Sequence, residues 1–184
     1  MRILITGAAG AGTTTLGRAL AVQLGAAFFD ADDFFWHSSE PPYQTERAPA
    51  ERLSMIVRAL GSSPSAIVAG SVVDWGDDLE NSFSLVVYLW VKADVRVARL
   101  MRRESERFGQ PLDGFIEWAA QYDEGRLPGR SRAAHEQWLS ERKCPVLRIE
   151  GDVSVMDAAS RVIEALSNLS FESRRSASAV QLRR

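Results

Sequence analysis

The sequence has little sulfur and little histidine. One cysteine, Cys144, stands among 184 residues, so no disulfide can form within the chain, and a reducing cytoplasm is the expected setting. Cys144 precedes Pro145 at the edge of an apolar run and reads as a buried structural thiol. His37 and His135 make no metal-binding spacing with it. No apolar run approaches the roughly 20 residues needed to cross a bilayer. Met1 leads straight into a strand, with no signal-peptide layout. The formal net charge is only −2, which leaves no general attraction to nucleic acid or to an anionic membrane. No internal repeat is visible. What is present, 46% hydrophobic and 25% charged residues, is the composition of an ordinary globular domain long enough for a sizeable core. A monomer or homodimer is expected.

The most informative stretch is residues 7–15, Gly7-Ala8-Ala9-Gly10-Ala11-Gly12-Thr13-Thr14-Thr15. It follows the apolar run Arg2–Thr6, which reads as a short buried strand. It precedes Leu16, Ala19, Leu20 and Leu24, whose spacing gives one face of a helix. Strand, glycine-rich loop and helix form the context of a phosphate-binding loop. The glycines let successive N–H groups turn toward an anion, and the helix adds its own unpaired N–H groups. Gly7 and Gly12 have the separation of the GxxxxGK[ST] pattern, and Thr14 sits where that pattern places its Mg²⁺-linked hydroxyl. Thr13 replaces the lysine. The alternatives are a plain glycine turn, or a loop that binds nucleotide without performing chemistry.

A second strand, Ala26–Phe29, runs into Asp30-Ala31-Asp32-Asp33. Carboxylates at a strand exit suit a Mg²⁺–phosphate or acceptor site, and that role is assigned to Asp30 and Asp32. Asp33 reads as a helix cap. The aromatic run Phe34–His37 is either core or the wall of an acceptor pocket through Trp36. Residues 38–49, with Pro41, Pro42 and Pro49, read as loop. Arg47 and Arg52 flank the helix that follows, and Arg47 either holds an anionic acceptor or is solvated. Ala66–Ala69 is a third strand, followed by Asp74-Trp75-Gly76-Asp77-Asp78, a second acidic and aromatic cluster. Ser84–Val91 has the near-continuous apolar character of a central parallel strand.

The helix expected from about Asp94 to Arg107 carries Arg96, Arg99, Arg103 and Arg107 along one stripe, which is either solvated or turned toward the phosphates. Residues 109–132 read as a lid with a glycine-hinged basic loop carrying Arg126, Arg130 and Arg132. Leu112, Phe115, Ile116 and Ala119 are assigned to one amphipathic helix there. Val146–Ile149 is a fifth strand. A last helix follows, capped by Ser154, and residues 169–184 read as a flexible tail. Strands separated by helices give an α/β fold, a parallel sheet covered on both faces.

These motifs resemble the nucleoside-monophosphate-kinase-like branch of P-loop proteins, which includes adenylate, cytidylate, shikimate and gluconate kinases. The likeness spans residues 1–168 and rests on GAAGAGTTT, FFDADD, VVYLWVKADVRVARLMRRESERFG and IEGDVSVMDAASRVIEAL. Bacterial adenylate-kinase-like ATP-binding proteins look closest, and archaeal cytidylate kinases share a GTTT loop. The resemblance implies a three-layer P-loop NTPase sandwich with strand order 2-3-1-4-5, and ATP with Mg²⁺. It implies nucleotide contacts from Gly7, Gly10, Ala11, Gly12, Thr13, Thr14, Thr15, Arg102, Gly151 and Asp152. It implies metal contacts from Thr14 and Asp30, and catalytic roles for Asp32, Arg103 and Arg107. A small-molecule acceptor would meet Asp32, Trp36, Arg47 and Trp75. Gly70–Asp74 lacks the DGFPR-like stretch of true adenylate kinases.

Overall fold

The computed structural model describes residues 1–40, 42–111 and 114–181. Pro41, Leu112 and the last three residues of the expected tail lie outside the described residues. In chain order the elements are β1 (Arg2–Gly7), α1 (Thr13–Leu24), β2 (Ala27–Asp30), α2 (Ala31–Phe35), α3 (Pro49–Gly61), β3 (Ala66–Ala69), α4 (Asp77–Glu80) and β4 (Leu85–Trp90). Then come α5 (Ala93–Phe108), α6 (Phe115–Ala120), a 3₁₀ turn (Gln121–Asp123), α7 (Arg132–Ser140), β5 (Val146–Glu150) and α8 (Val155–Gln181). The five strands form one parallel sheet in the order β2-β3-β1-β4-β5.

Strand periodicity explains the layers, because successive side chains leave opposite faces of the sheet. Ile3 and Ile5 of β1 join Val87 of β4 under α1 and α8, with Leu16, Leu20, Ala159 and Val162. Leu4 points the other way and packs with Val68, Val86 and Tyr88 against Ile56 and Leu60 of α3 and Trp138 and Leu139 of α7. Ile3, Leu4 and Ile5 are wholly buried, each contributing about 1.5–3 kcal/mol. A parallel sheet gathers its strand exits at one edge, and the β1–α1, β2–α2 and β3–α4 connections all open there.

Four expectations need correction. Strand β2 runs one residue later than expected and takes in Asp30. Asp30, not Asp33, caps α2 by accepting from the Asp32 N–H, because only a carboxylate ahead of the first turn reaches an unpaired donor in it. Residues 169–181 continue α8 instead of forming an irregular tail. No glycine or proline interrupts that stretch, so the helix, once nucleated by core packing, propagates. Arg96 is buried, not on a solvated stripe. Among the described residues no helix is long and apolar enough to cross a membrane.

Candidate functional site

The glycine loop is shaped by close contacts. A Cβ on Gly7 would stand 2.4 Å from the Leu89 carbonyl oxygen. At Gly10, φ is +80° and a Cβ would stand 2.7 Å from the Arg96 carbonyl oxygen, so this position tolerates only glycine. The carbonyls of Ala9 and Gly10 accept from Arg96 Nη1 at 3.3 Å and Arg99 Nη1 at 3.4 Å. Carbonyls drawn toward α5 leave loop N–H groups for the other side. Gly12 caps α1 with no side-chain hydrogen bond, so the first turn of α1 keeps donors for an anion.

In front of the loop is a cavity of about 450 Å³, lined by Gly10 through Leu16 together with Arg99, Arg102, Arg103, Glu106, Ile149, Gly151, Val153 and Val155. That volume suits a small-molecule ligand. Its lining combines backbone, guanidinium and apolar surfaces, as a nucleotide would need. Gly10, Ala11, Gly12, Thr13, Thr14, Thr15, Arg102, Arg103 and Gly151 therefore meet in one place. Gly7 does not line the cavity and serves the strand-to-loop transition instead. Asp152 does not line it either, because its carboxylate is taken by Arg99.

Next to the loop, Thr14 Oγ1 donates to Asp30 Oδ2 at 3.0 Å, and Asp30 Oδ1 accepts from the Asp32 N–H at 3.2 Å. The Asp32 carboxyl faces Arg130 Nη2 across 3.9 Å. Asp32 is half-buried, with nearly half of its side chain accessible. Burial pushes its pKa above the usual carboxylate range, Arg130 pulls it down, Asp30 and Asp33 push it up, and Arg103 pulls it down weakly. Arg103 itself is held by Glu104, whose Oε1 accepts from Nε at 3.0 Å and Nη2 at 2.8 Å. Thr14 and Asp30 offer hard oxygen donors side by side, the type of set that holds Mg²⁺ when phosphate and water complete its shell.

Several anticipated residues stand elsewhere. The Arg107 guanidinium lies over the Phe108 ring at 5.1 Å and is not in the cavity lining, because the end of α5 turns it away. Trp75 is 5% exposed, and its rings are covered by Phe35 and Arg52, so it is a core wedge rather than an open acceptor wall. Trp36 packs edge-on against Phe35 and Tyr43. Arg47 pairs with Glu51 at 2.8 Å and His37 Nδ1 at 3.2 Å. Its Nε, like that of Arg52, is buried without a hydrogen-bond partner among the described residues. Of the three basic residues in the 124–132 stretch, only Arg130 approaches Asp32. Arg126 pairs with Glu124, and Arg132 lies over Trp90 at 4.8 Å.

Sequence reasoning missed Glu80. It is buried, accepts from the N–H groups of Trp75 and Gly76 at 2.9 and 3.2 Å, and binds Trp138 Nε1 at 2.6 Å and Arg142 at 3.1 Å. It therefore ties the loop after β3 to α7. The missed signal was an acidic residue at an apolar position next to Leu79.

No protein-family model matches the chain. A Bacillus subtilis (strain 168) protein, uncharacterized protein YqaC, is 39% identical over 176 residues, covering 90% of this chain and 97% of that protein. The chain belongs to the YqaC family. A shikimate kinase of Psychrobacter cryohalolentis is 30% identical to this YqaC-family chain over 116 residues, 56% of the chain and 61% of that enzyme. Among solved structures, a shikimate kinase from Acinetobacter baumannii in complex with shikimate aligns with TM-score 0.58 and 19% identity over 91% of this chain and 93% of that one. A gluconokinase from Sinorhizobium meliloti aligns with TM-score 0.59 and 18% identity over 94% and 97%. At such identities the likeness shows the fold, a five-stranded parallel P-loop sheet with helices on both faces.

Proposed function

We propose that the protein transfers the γ-phosphoryl group of ATP to a hydroxyl of a small acceptor that itself carries an anionic group. The observation that carries this reading is the junction of the glycine loop with two carboxylates, Thr14 Oγ1 on Asp30 and Asp32 facing Arg130. The cavity would take ATP, with its phosphates on the amides of Gly10 and residues 12–15 and its base near Gly151 and Val153. Thr14 and Asp30 would hold Mg²⁺, which neutralises phosphate charge when bound. Asp32 would accept the acceptor's hydroxyl proton, a task that its raised pKa suits. Arg103, pre-oriented by Glu104, and Arg130 would meet the charge of the transferring group, the role that Thr13 cannot fill. The 124–131 loop, which carries Arg130, would act as a lid that excludes water.

Arg47 and Arg52, each with an unpartnered buried Nε, favour an acceptor with a carboxylate or phosphate. The shikimate kinase and gluconokinase likenesses support a hydroxy acid within that class. A second reading is a nucleotide-binding regulatory module, favoured by Thr13 in the lysine position.

The test is a panel of hydroxy acids, sugar acids and nucleoside monophosphates, with ADP release measured above the no-acceptor blank. One acceptor should raise turnover strongly. Arg103→Ala should then lower kcat by about 100-fold with little change in ATP affinity. No stimulation by any acceptor, with ATP bound and Thr13→Lys raising ATPase turnover by orders of magnitude, would favour the regulatory reading.

A further inference from the structure

Arg96 is fully buried, and the reaction described above does not use it. A guanidinium in such a place is strongly unfavourable unless its donors are met. Here Nε donates to the Val91 carbonyl at 2.8 Å, and Nη1 to the Ala119 carbonyl at 2.9 Å and the Ala9 carbonyl at 3.3 Å. Nη2 donates to Asp123 Oδ2 at 3.0 Å. Its Cζ lies over the Tyr122 ring, 5.2 Å from the ring centre. Asp123 is fixed in turn, since its Oδ1 accepts from Trp90 Nε1 at 2.8 Å. The acceptors thus belong to four segments: the exit of β4, the glycine loop, α6 and the 3₁₀ turn. A lysine ammonium has three donors on one atom and cannot span them, whereas the planar fork of arginine can.

Two effects follow from one side chain. The pull on the Ala9 carbonyl helps hold the loop with its N–H groups free for an anion. The pull on Ala119 and Asp123 fixes residues 115–123 to the same point. We infer that Arg96 is a positioning residue that locks the phosphate loop and the 115–123 stem into one body. The part left to close over a ligand is then 124–131, which contains Gly125 and Gly129 at φ +66° and +101° and carries Arg130. This rests on the nucleotide reading only for the identity of the ligand used as probe.

The test is hydrogen exchange on the full chain, followed peptide by peptide, with and without Mg²⁺ and a non-hydrolysable ATP analogue. In the wild type the analogue should slow exchange in residues 8–14 and in 115–123 together, by about tenfold in each. Asp123→Asn, which removes the ion pair and leaves the guanidinium only the Ala119 carbonyl as a firm hold on the stem, should keep the first response and lose more than half of the second. Arg96→Lys without nucleotide should speed exchange in both segments by about tenfold while the sheet strands stay protected. The inference is overturned if the analogue protects 8–14 and leaves 115–123 unmoved. It is also overturned if Asp123→Asn responds like the wild type, or if Arg96→Lys folds and exchanges like the wild type. Should Arg96→Lys not fold, the Asp123→Asn comparison decides. Should calorimetry find no analogue binding, the nucleotide reading fails. The inference is then judged without ligand, where Asp123→Asn must speed exchange in 115–123.

Discussion

Acidification probes the buried polar row behind the site. Tyr88 on β4 bonds Tyr122 at 2.9 Å, and Tyr122 bonds His135 Nδ1 on α7 at 2.6 Å. His135 Nε2 is buried with no partner among the described residues. A charged imidazolium there would be poorly solvated. Burial pushes the His135 pKa down to about 4, with a further push from the Arg130 charge against an opposing pull from Glu136. In the unfolded chain it returns to about 6.5. Between those values the unfolded chain binds a proton that the folded chain refuses, so stability is complete above the unfolded pKa and is lost as pH falls toward 4. The gap corresponds to roughly 3 kcal/mol, a large share of a typical 5–15 kcal/mol, about what a domain has. Urea unfolding of the wild type and His135→Phe across this range isolates the effect, since both chains share the other titrating groups. The wild type should begin more stable, because the variant removes one of the two hydrogen-bond partners of the buried Tyr122 hydroxyl. Its advantage should shrink by roughly 3 kcal/mol on acidification. Parallel curves for the two chains would refute the reasoning.

Arg130→Ala removes the charge that pulls the Asp32 pKa down, so the acid limb of kcat/KM with the true acceptor should move to higher pH; an unmoved limb would exclude Asp32 as the titrating base. Asp30→Asn keeps one oxygen to accept from the Asp32 N–H, turns its NH2 toward the Thr14 hydroxyl, which can accept, and removes the charge. The Mg²⁺ needed for half-maximal turnover should rise by about 10- to 100-fold, read from a metal titration at saturating ATP. Glu80→Ala takes from the nearly buried Arg142 its nearest carboxylate, and from Trp138 and the Trp75 and Gly76 N–H groups their acceptor, and should destabilise the fold by about 3–5 kcal/mol in urea unfolding, with Glu80→Gln falling between.

The sheet was legible because its strands are short apolar runs with clear ends. Burial on both faces gives such runs no competing helical pattern, as at Ala66–Ala69. The loop was legible because close backbone contacts demand glycine at Gly7 and Gly10, and the Asp30 and Asp32 pair because it sits at a strand exit. The arginine helix was not. Spacing assigned Arg96, Arg99, Arg103 and Arg107 to one stripe, but only tertiary contacts decide that Arg96 dives inward to bind four segments while Arg107 swings away over Phe108. Likewise Trp75, read as an acceptor contact, and Glu80, which no local pattern singles out, are both buried. Local pattern carries period and propensity. It carries nothing about which long side chain finds a distant partner.

The threonine at position 13 turns attention to where positive charge comes from at the phosphates. Three arginines line the cavity, yet each already has an acidic partner: Arg99 with Asp152, Arg102 with Glu106 at 3.7 Å, and Arg103 with Glu104 at 2.8 Å. The cavity therefore presents guanidiniums without a matching excess of charge. A triphosphate would need its cation and would need at least one of these pairs to open. The pairs differ in how easily they do so. Glu104 is buried and holds Arg103 through a single oxygen, which leaves Arg103 Nη1 free of any bond to Glu104 and the orientation fixed. Arg102 and Glu106 are exposed and distant, and screening by water makes their attachment worth little, so Arg102 can exchange carboxylate for phosphate. Arg130 stands apart from the cavity on Asp32. An acceptor hydroxyl hydrogen-bonded to Asp32 would compete for that carboxylate and release Arg130 toward the incoming phosphoryl group. The Arg130 charge would then reach the transferring group only when both substrates are in place, which would limit idle hydrolysis at a loop without a resident lysine.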